Sequence, residues 1–150
     1  MEVKQLRDNV TVVFASNNQP ASLIIKLFTL SYWSHVAILD DDGYIYDSTL
    51  LSGVRRIHFD EWKTHYSNLD FTIFPVKDRK ATYEWLTTQV GNKYDALGIF
   101  SFILRKNYED KDKYFCSELV AKALGITYKP WRLSPHFLSQ FYKTLKGYIL

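Results

Sequence analysis

The sequence carries one cysteine, Cys116, which excludes an internal disulfide and any zinc site built from several thiolates. The four histidines, His35, His58, His65 and His136, lack a paired metal-ligand spacing such as His-Glu-x-x-His, so no metal or other cofactor is expected. A membrane-spanning helix needs roughly 20 apolar residues in a row. The longest apolar candidates, 22–30 and 96–104, are too short for a transmembrane segment. Met1-Glu2-Val3-Lys4 is not followed by an apolar run, so no signal peptide is read and a cytoplasmic, reducing location is expected. The net charge is only +3, with both signs interspersed, which is far from a nucleic-acid footprint. Without a repeat, linker or low-complexity tract, residues 1–150 read as one domain, long enough to bury a core.

Aromatic residues, in contrast, reach 17%, which suits a packed core beside an aromatic-lined groove. The first half reads as strands: 10–14, 33–40, 44–49, 54–59 and 70–76, the last with Pro75 marking an edge or a strand end. A helix is expected after Pro20, with Leu23, Ile24, Leu27 and Phe28 on one face, and a short helical turn over 60–63. The second half is helical: 81–90, a helix capped by Asp95, the Cys116 helix, and a last one opened by Ser134-Pro135. That last helix should turn Phe137, Leu138, Phe141 and Leu145 inward. Residues 105–113 form a charged connection without apolar period. Strands first and helices mostly after predict an α+β fold with one antiparallel sheet.

Cys116 stands at the front of a helix marked by Leu119, Val120, Ala123 and Leu124, with Gly125 as its C-terminal stop. Two readings follow. The free N–H groups and dipole of a first helical turn favour a thiolate, which makes Cys116 a nucleophile candidate. Its spacing of three and four from Leu119 and Val120 also suits a cysteine that fills the core. Glu118 reads as facing solvent or stabilising that first turn.

A nucleophile needs a base, and His35 is the candidate. Strand alternation places Trp33, His35, Ala37 and Leu39 on one face and Ser34, Val36 and Ile38 on the other. Asp40-Asp41-Asp42-Gly43 is a hairpin signal, and the numbers of opposed residues in a hairpin have a constant sum. A three-residue loop with Gly43 left-handed makes the sum 84 and sets Asp47 diagonal to His35 on the same face; a five-residue loop makes it 82 and sets Asp47 directly opposite. A two-residue turn gives an odd sum and brings Tyr46 and Ser48 round instead. In the even registers Asp47 can fix the imidazole tautomer and leave the other ring nitrogen as a base. A buried His–Asp structural pair and a solvated Asp47 remain open as the alternatives.

Four segments in this order, Asn9-Val10-Thr11-Val12-Val13-Phe14, Trp33-Ser34-His35-Val36-Ala37-Ile38, Tyr94-Asp95-Ala96-Leu97-Gly98 and Phe115-Cys116-Ser117-Glu118-Leu119-Val120, span nearly the whole chain. With them the sequence resembles the circularly permuted papain-like hydrolases of the NlpC/P60 superfamily, in particular the YiiX-like group. The resemblance implies a permuted papain-like domain in which the histidine strand precedes the cysteine helix, with Cys116 as nucleophile, His35 as base and Asp47 as orienter. Relatives often carry His or Glu at the Asp47 position, and the twelve-residue interval from His35 to Asp47 is similar to that of lecithin:retinol acyltransferase-type enzymes. YiiX-type members are secreted, and the lack of a signal here departs from them. The expected activity is a cysteine amidase or peptidase acting on a peptide, an isopeptide or a peptidoglycan stem. A thiol acyltransferase or esterase acting on an acyl lipid and a non-catalytic binding domain are the alternatives.

Overall fold

The computed structural model describes residues 8–20, 22, 23, 26, 32–93, 116–126 and 134–140. Its β-branched and aromatic runs form five strands: β1 (Asp8–Ser16), β2 (His35–Leu39), β3 (Tyr44–Thr49), β4 (Gly53–His58) and β5 (Asn68–Val76). They build one antiparallel sheet in the order β4-β3-β2-β1-β5. A short helix, α1 (Phe59–Trp62), runs into a 3-10 turn over Lys63–His65, and two longer helices follow, α2 (Arg79–Gln89) and α3 (Cys116–Ala123). Residues 135–140 are helical as well. The chain is therefore α+β with an antiparallel sheet, as its patterning predicts. Among the described residues no helix is long and apolar enough to cross a membrane.

Pro75 sits where a residue without an N–H is tolerated, because β5 is an edge strand and Pro75 faces Asn9 of β1. The β2–β3 hairpin takes the three-residue loop. Ile38 opposes Tyr46 and Leu39 opposes Ile45, a sum of 84, and Gly43 has φ 84°. Asp40 stabilises the turn: its Oδ1 accepts from the N–H groups of Asp42 at 3.0 Å and Tyr44 at 2.9 Å, and its Oδ2 accepts from Arg56.

The alternation of each strand divides the core between two faces. Val10, Val12 and Phe14 of β1, with Val36 and Ile38 of β2, pack with Leu86 of α2 and with Leu119, Val120 and Leu138. The opposite face holds Val13, Ala15, Ala37 and Ile45 under Trp62 of α1. Each fully buried Val, Leu or Ile contributes on the order of 1.5–3 kcal/mol, so both layers matter. Gly53 ties β4 to the turn after α2. Its φ is +63°, and an added Cβ would lie 2.2 Å from the carbonyl oxygen of Asn92, which accepts the Val54 N–H at 2.7 Å.

Three expectations are corrected. Trp33 does not share the His35 face: β2 begins at His35, so alternation does not extend back, and Trp33 packs with Phe14 at 6.1 Å on the opposite side. Glu118 is buried at 2% exposure and pairs with Lys122 at 3.0 Å, because α3 is enclosed from Cys116 through Ala121. Phe137 is half exposed while its neighbour Leu138 is fully buried, so the inward stripe does not include it. Residues 20, 22, 23 and 26 are helical, with Leu23 half exposed. Ile24, Leu27, Phe28, Asp95, Phe141, Leu145 and the connection 105–113 lie outside the described residues.

Candidate active site

Asp47 is the centre of the buried polar cluster. It lies on β3, diagonal to His35, and is fully buried. A carboxylate without water must find donors within the protein, and Asp47 finds four bonds from three side chains. Arg55 Nε donates to Oδ1 at 2.8 Å and Arg55 Nη2 donates to Oδ2 at 3.3 Å. Trp62 Nε1 and His35 Nε2 also donate to Oδ2, at 2.7 Å and 3.1 Å. Burial acts to raise the carboxyl pKa, but the hydrogen bonds and charges of His35 and Arg55 outweigh it and lower it to about 2. Asp47 is therefore ionised throughout the physiological range.

Each donor is delivered by a different piece of local structure. Arg55 faces Asp47 directly across the β3–β4 ladder. Trp62 arrives from α1, whose start is fixed by the His58 side chain accepting the Asp60 N–H. Tyr66, just beyond the 3-10 turn, stacks on the His35 ring with centroids 5.5 Å apart and 10° between planes. Burial raises the Tyr66 pKa above its ordinary value, so the phenol stays neutral beside the imidazole.

His35 uses Nε2 for Asp47, which leaves Nδ1 as its other nitrogen. Burial pushes the imidazole pKa down, but Tyr66, Cys116 and Asp47 raise it further, and the net position is well above the ordinary histidine value. Cys116 lies close enough to His35 to contribute to that rise. Alternation assigns His35 to one sheet face and Cys116 packs on the other. They meet because each is the first residue of its element, His35 of β2 and Cys116 of α3, and α3 packs across β2 and β3.

The three residues singled out in the sequence, Cys116, His35 and Asp47, are thus brought together. Arg55, Trp62 and Tyr66 complete the cluster and were missed. A cleft of about 440 Å³ opens beside it, reaching His35, Tyr66 and Arg55 and rimmed by Leu50 and Leu51. Cys116 itself is 1% exposed. His58 and His65 lie on the surface; His136 is half-buried. Among the described residues no cluster of three or more His, Cys, Asp or Glu side chains could hold a metal ion. The arrangement can hold an imidazole between a fixed carboxylate and a thiol, which suits moving a proton between sulfur and a bound group. Comparison of the sequence with protein-family models and with curated proteins gives no match.

Proposed function

We propose that the protein is a cysteine hydrolase of the amidase or peptidase type, built on a permuted papain-like domain of the NlpC/P60 kind. The observation that carries the reading is the His35 ring, held by Asp47 on one side at 3.1 Å and with Cys116 near enough to raise its pKa. A buried structural His–Asp pair has no use for a thiol at the imidazole, whereas a nucleophile requires one there.

The Cys116 thiol gives its proton to His35 Nδ1, and the sulfur attacks the acyl carbon of the substrate. The carbonyl oxygen takes the charge at the first turn of α3, where backbone N–H groups have no partner within the helix. His35 passes its proton to the leaving nitrogen as the C–N bond breaks, leaving a thioester on Cys116. Water then loses a proton to His35 and attacks the thioester, the C–S bond breaks, and the acid departs. Asp47 stays ionised throughout and holds the ring in one tautomer; it does not exchange a proton.

Labelling with a peptidyl vinyl sulfone, read by intact mass and peptide mapping, tests the proposal. One adduct on Cys116 at neutral pH is expected, and His35→Ala should abolish it. No adduct, or an adduct indifferent to His35→Ala, would sink the nucleophile assignment. Peptide amides tested against acyl esters and thioesters then separate amide hydrolysis from acyl transfer.

A further inference from the structure

The cleft beside His35 has an unusual lining. It presents Asn17, Gln19, His65 and Arg55, and among the described residues no carboxylate reaches its surface. Asp47, the nearest acid, is fully buried behind Arg55 and saturated by donors. A guanidinium has five N–H donors, and Asp47 engages one on Nε and one on Nη2. The rest of the Arg55 fork belongs to the cleft side, where its side chain is 28% exposed. Ser34 supplies a second, independent observation. It lines the same cleft at 2% exposure, and its hydroxyl has no hydrogen-bond partner. A buried hydroxyl without a partner is costly in a closed protein, and a ligand oxygen in the cleft would satisfy it.

We propose that this cleft binds an oxyanion on the substrate, a carboxylate or a phosphate near the scissile acyl group, with Arg55 as its recognition cation. The planar fork suits two-point contact with such groups, and among the described residues no carboxylate lines the cleft to oppose them, Glu61 acting on Arg55 from outside it. Leu50 and Leu51, exposed at 63% and 96%, offer the rim an apolar surface for the part of the substrate that follows the anion. Arg55 thereby holds the orienter with one edge and the substrate with the other. The inference rests on the proposed function only in placing the scissile bond at Cys116; the anion site itself stands on the cleft.

Alkylation of Cys116 by iodoacetate and by iodoacetamide tests it, because the two reagents share one displacement and differ in a carboxylate. The ratio of their rates cancels changes in thiol reactivity. Wild type should favour iodoacetate, Arg55→Gln should cut the ratio roughly fivefold, and Leu51→Asp, which sets a negative charge on the rim, about twofold. A ratio unmoved by both variants overturns the proposal. If neither reagent modifies Cys116, the nucleophile assignment fails by itself and the anion site is decided on Cys116→Ala by titration with succinate and with inorganic phosphate. Saturable shifts of the His35 ring resonances that weaken in Arg55→Gln support the site. Their absence with both anions overturns it, and the stronger of the two identifies the anion as carboxylate or phosphate.

Discussion

Replacing Asp47 by Asn keeps the shape of the side chain and removes its charge, and its cost can be worked from the geometry. The carboxyl pKa falls from 3.8 to about 2 in the folded chain. A displacement of nearly two units corresponds to about 2.5 kcal/mol of stability at neutral pH. Because the folded value is the lower one, this contribution is complete above pH about 4 and disappears as the pH falls through about 2. Asn adds a second penalty. His35, Trp62 and Arg55 all donate to Oδ2, while Oδ1 accepts from Arg55 alone. An amide oxygen turned toward the three donors abandons Arg55 Nε; an amide nitrogen turned there meets three N–H groups. One unsatisfied donor costs about 1–3 kcal/mol. Urea unfolding at pH 7 should therefore show a loss of about 3.5–5.5 kcal/mol, with the charge part largely absent at pH 2, where wild type is losing the same charge. The iodoacetamide rate at Cys116 near pH 7 should fall by at least about tenfold, since the imidazole loses the anion that stabilises its protonated form. Equal stability of the two proteins at pH 7, or an acid-side decline in the variant parallel to wild type, would refute the charge argument. An unchanged rate profile would remove Asp47 from the reaction and leave it a structural anion.

Other perturbations follow from the same contacts. The folded pKa of His35 lies above its unfolded value of 6.5, so its contribution to stability is full below pH about 6.5 and lost as the pH rises through the folded value. His35→Gln should flatten that alkaline slope, measured by thermal unfolding across pH 6 to 9. Trp62→Phe removes one donor to a buried carboxylate and should cost about 1–3 kcal/mol in urea unfolding. Trp62→Phe should also raise the midpoint of acid unfolding; a midpoint that stays in place would show that the indole N–H is irrelevant to Asp47. Gly53→Ala forces a methyl against the Asn92 carbonyl at a left-handed backbone position, and a loss of 2 kcal/mol or more is expected. A calorimetric Tm equal to that of wild type would contradict the close approach. Leu119→Ala empties a fully buried site between α3 and the sheet and should cost about 2–5 kcal/mol.

The sheet was legible because its signals are local. Asp-Gly placed the β2–β3 turn, and of three registers weighed the structure takes the three-residue loop with Gly43 at positive φ. That register sets Asp47 diagonal to His35, and the 3.1 Å contact follows from it. Arg55 was within reach of the same arithmetic. Leu50-Leu51-Ser52 is another three-residue loop, with the positive-φ Gly53 opening β4 instead of closing the loop, and its register opposes Asp47 to Arg55. Turn chemistry there is disguised by two leucines, which read as core although both stand exposed. Trp62 and Tyr66 were not legible at all. Their approach to Asp47 and His35 depends on how a four-residue helix folds back over the sheet, which is a tertiary choice without periodicity. Glu118 misled for a related reason: helical spacing marks the side facing the sheet, but it does not show that the remaining sides are covered too.

The order in which the chain presents these groups has a consequence for its synthesis. The imidazole and every described side chain that holds it, Asp47, Arg55, Trp62 and Tyr66, fall within residues 35–66, joined by short hairpins and one helical turn. Cys116 alone comes from far along the chain. A ribosome releases the N-terminal part first, and hairpins close in microseconds against many seconds of translation. The histidine assembly is therefore available as a formed surface before the thiol is made. Until α3 docks, the sulfur remains an ordinary cysteine in a nascent helix, remote from any group that would take its proton. Cys116 meets His35 only through a long-range packing step, so the event that seats α3 in the core also brings the thiol to the imidazole.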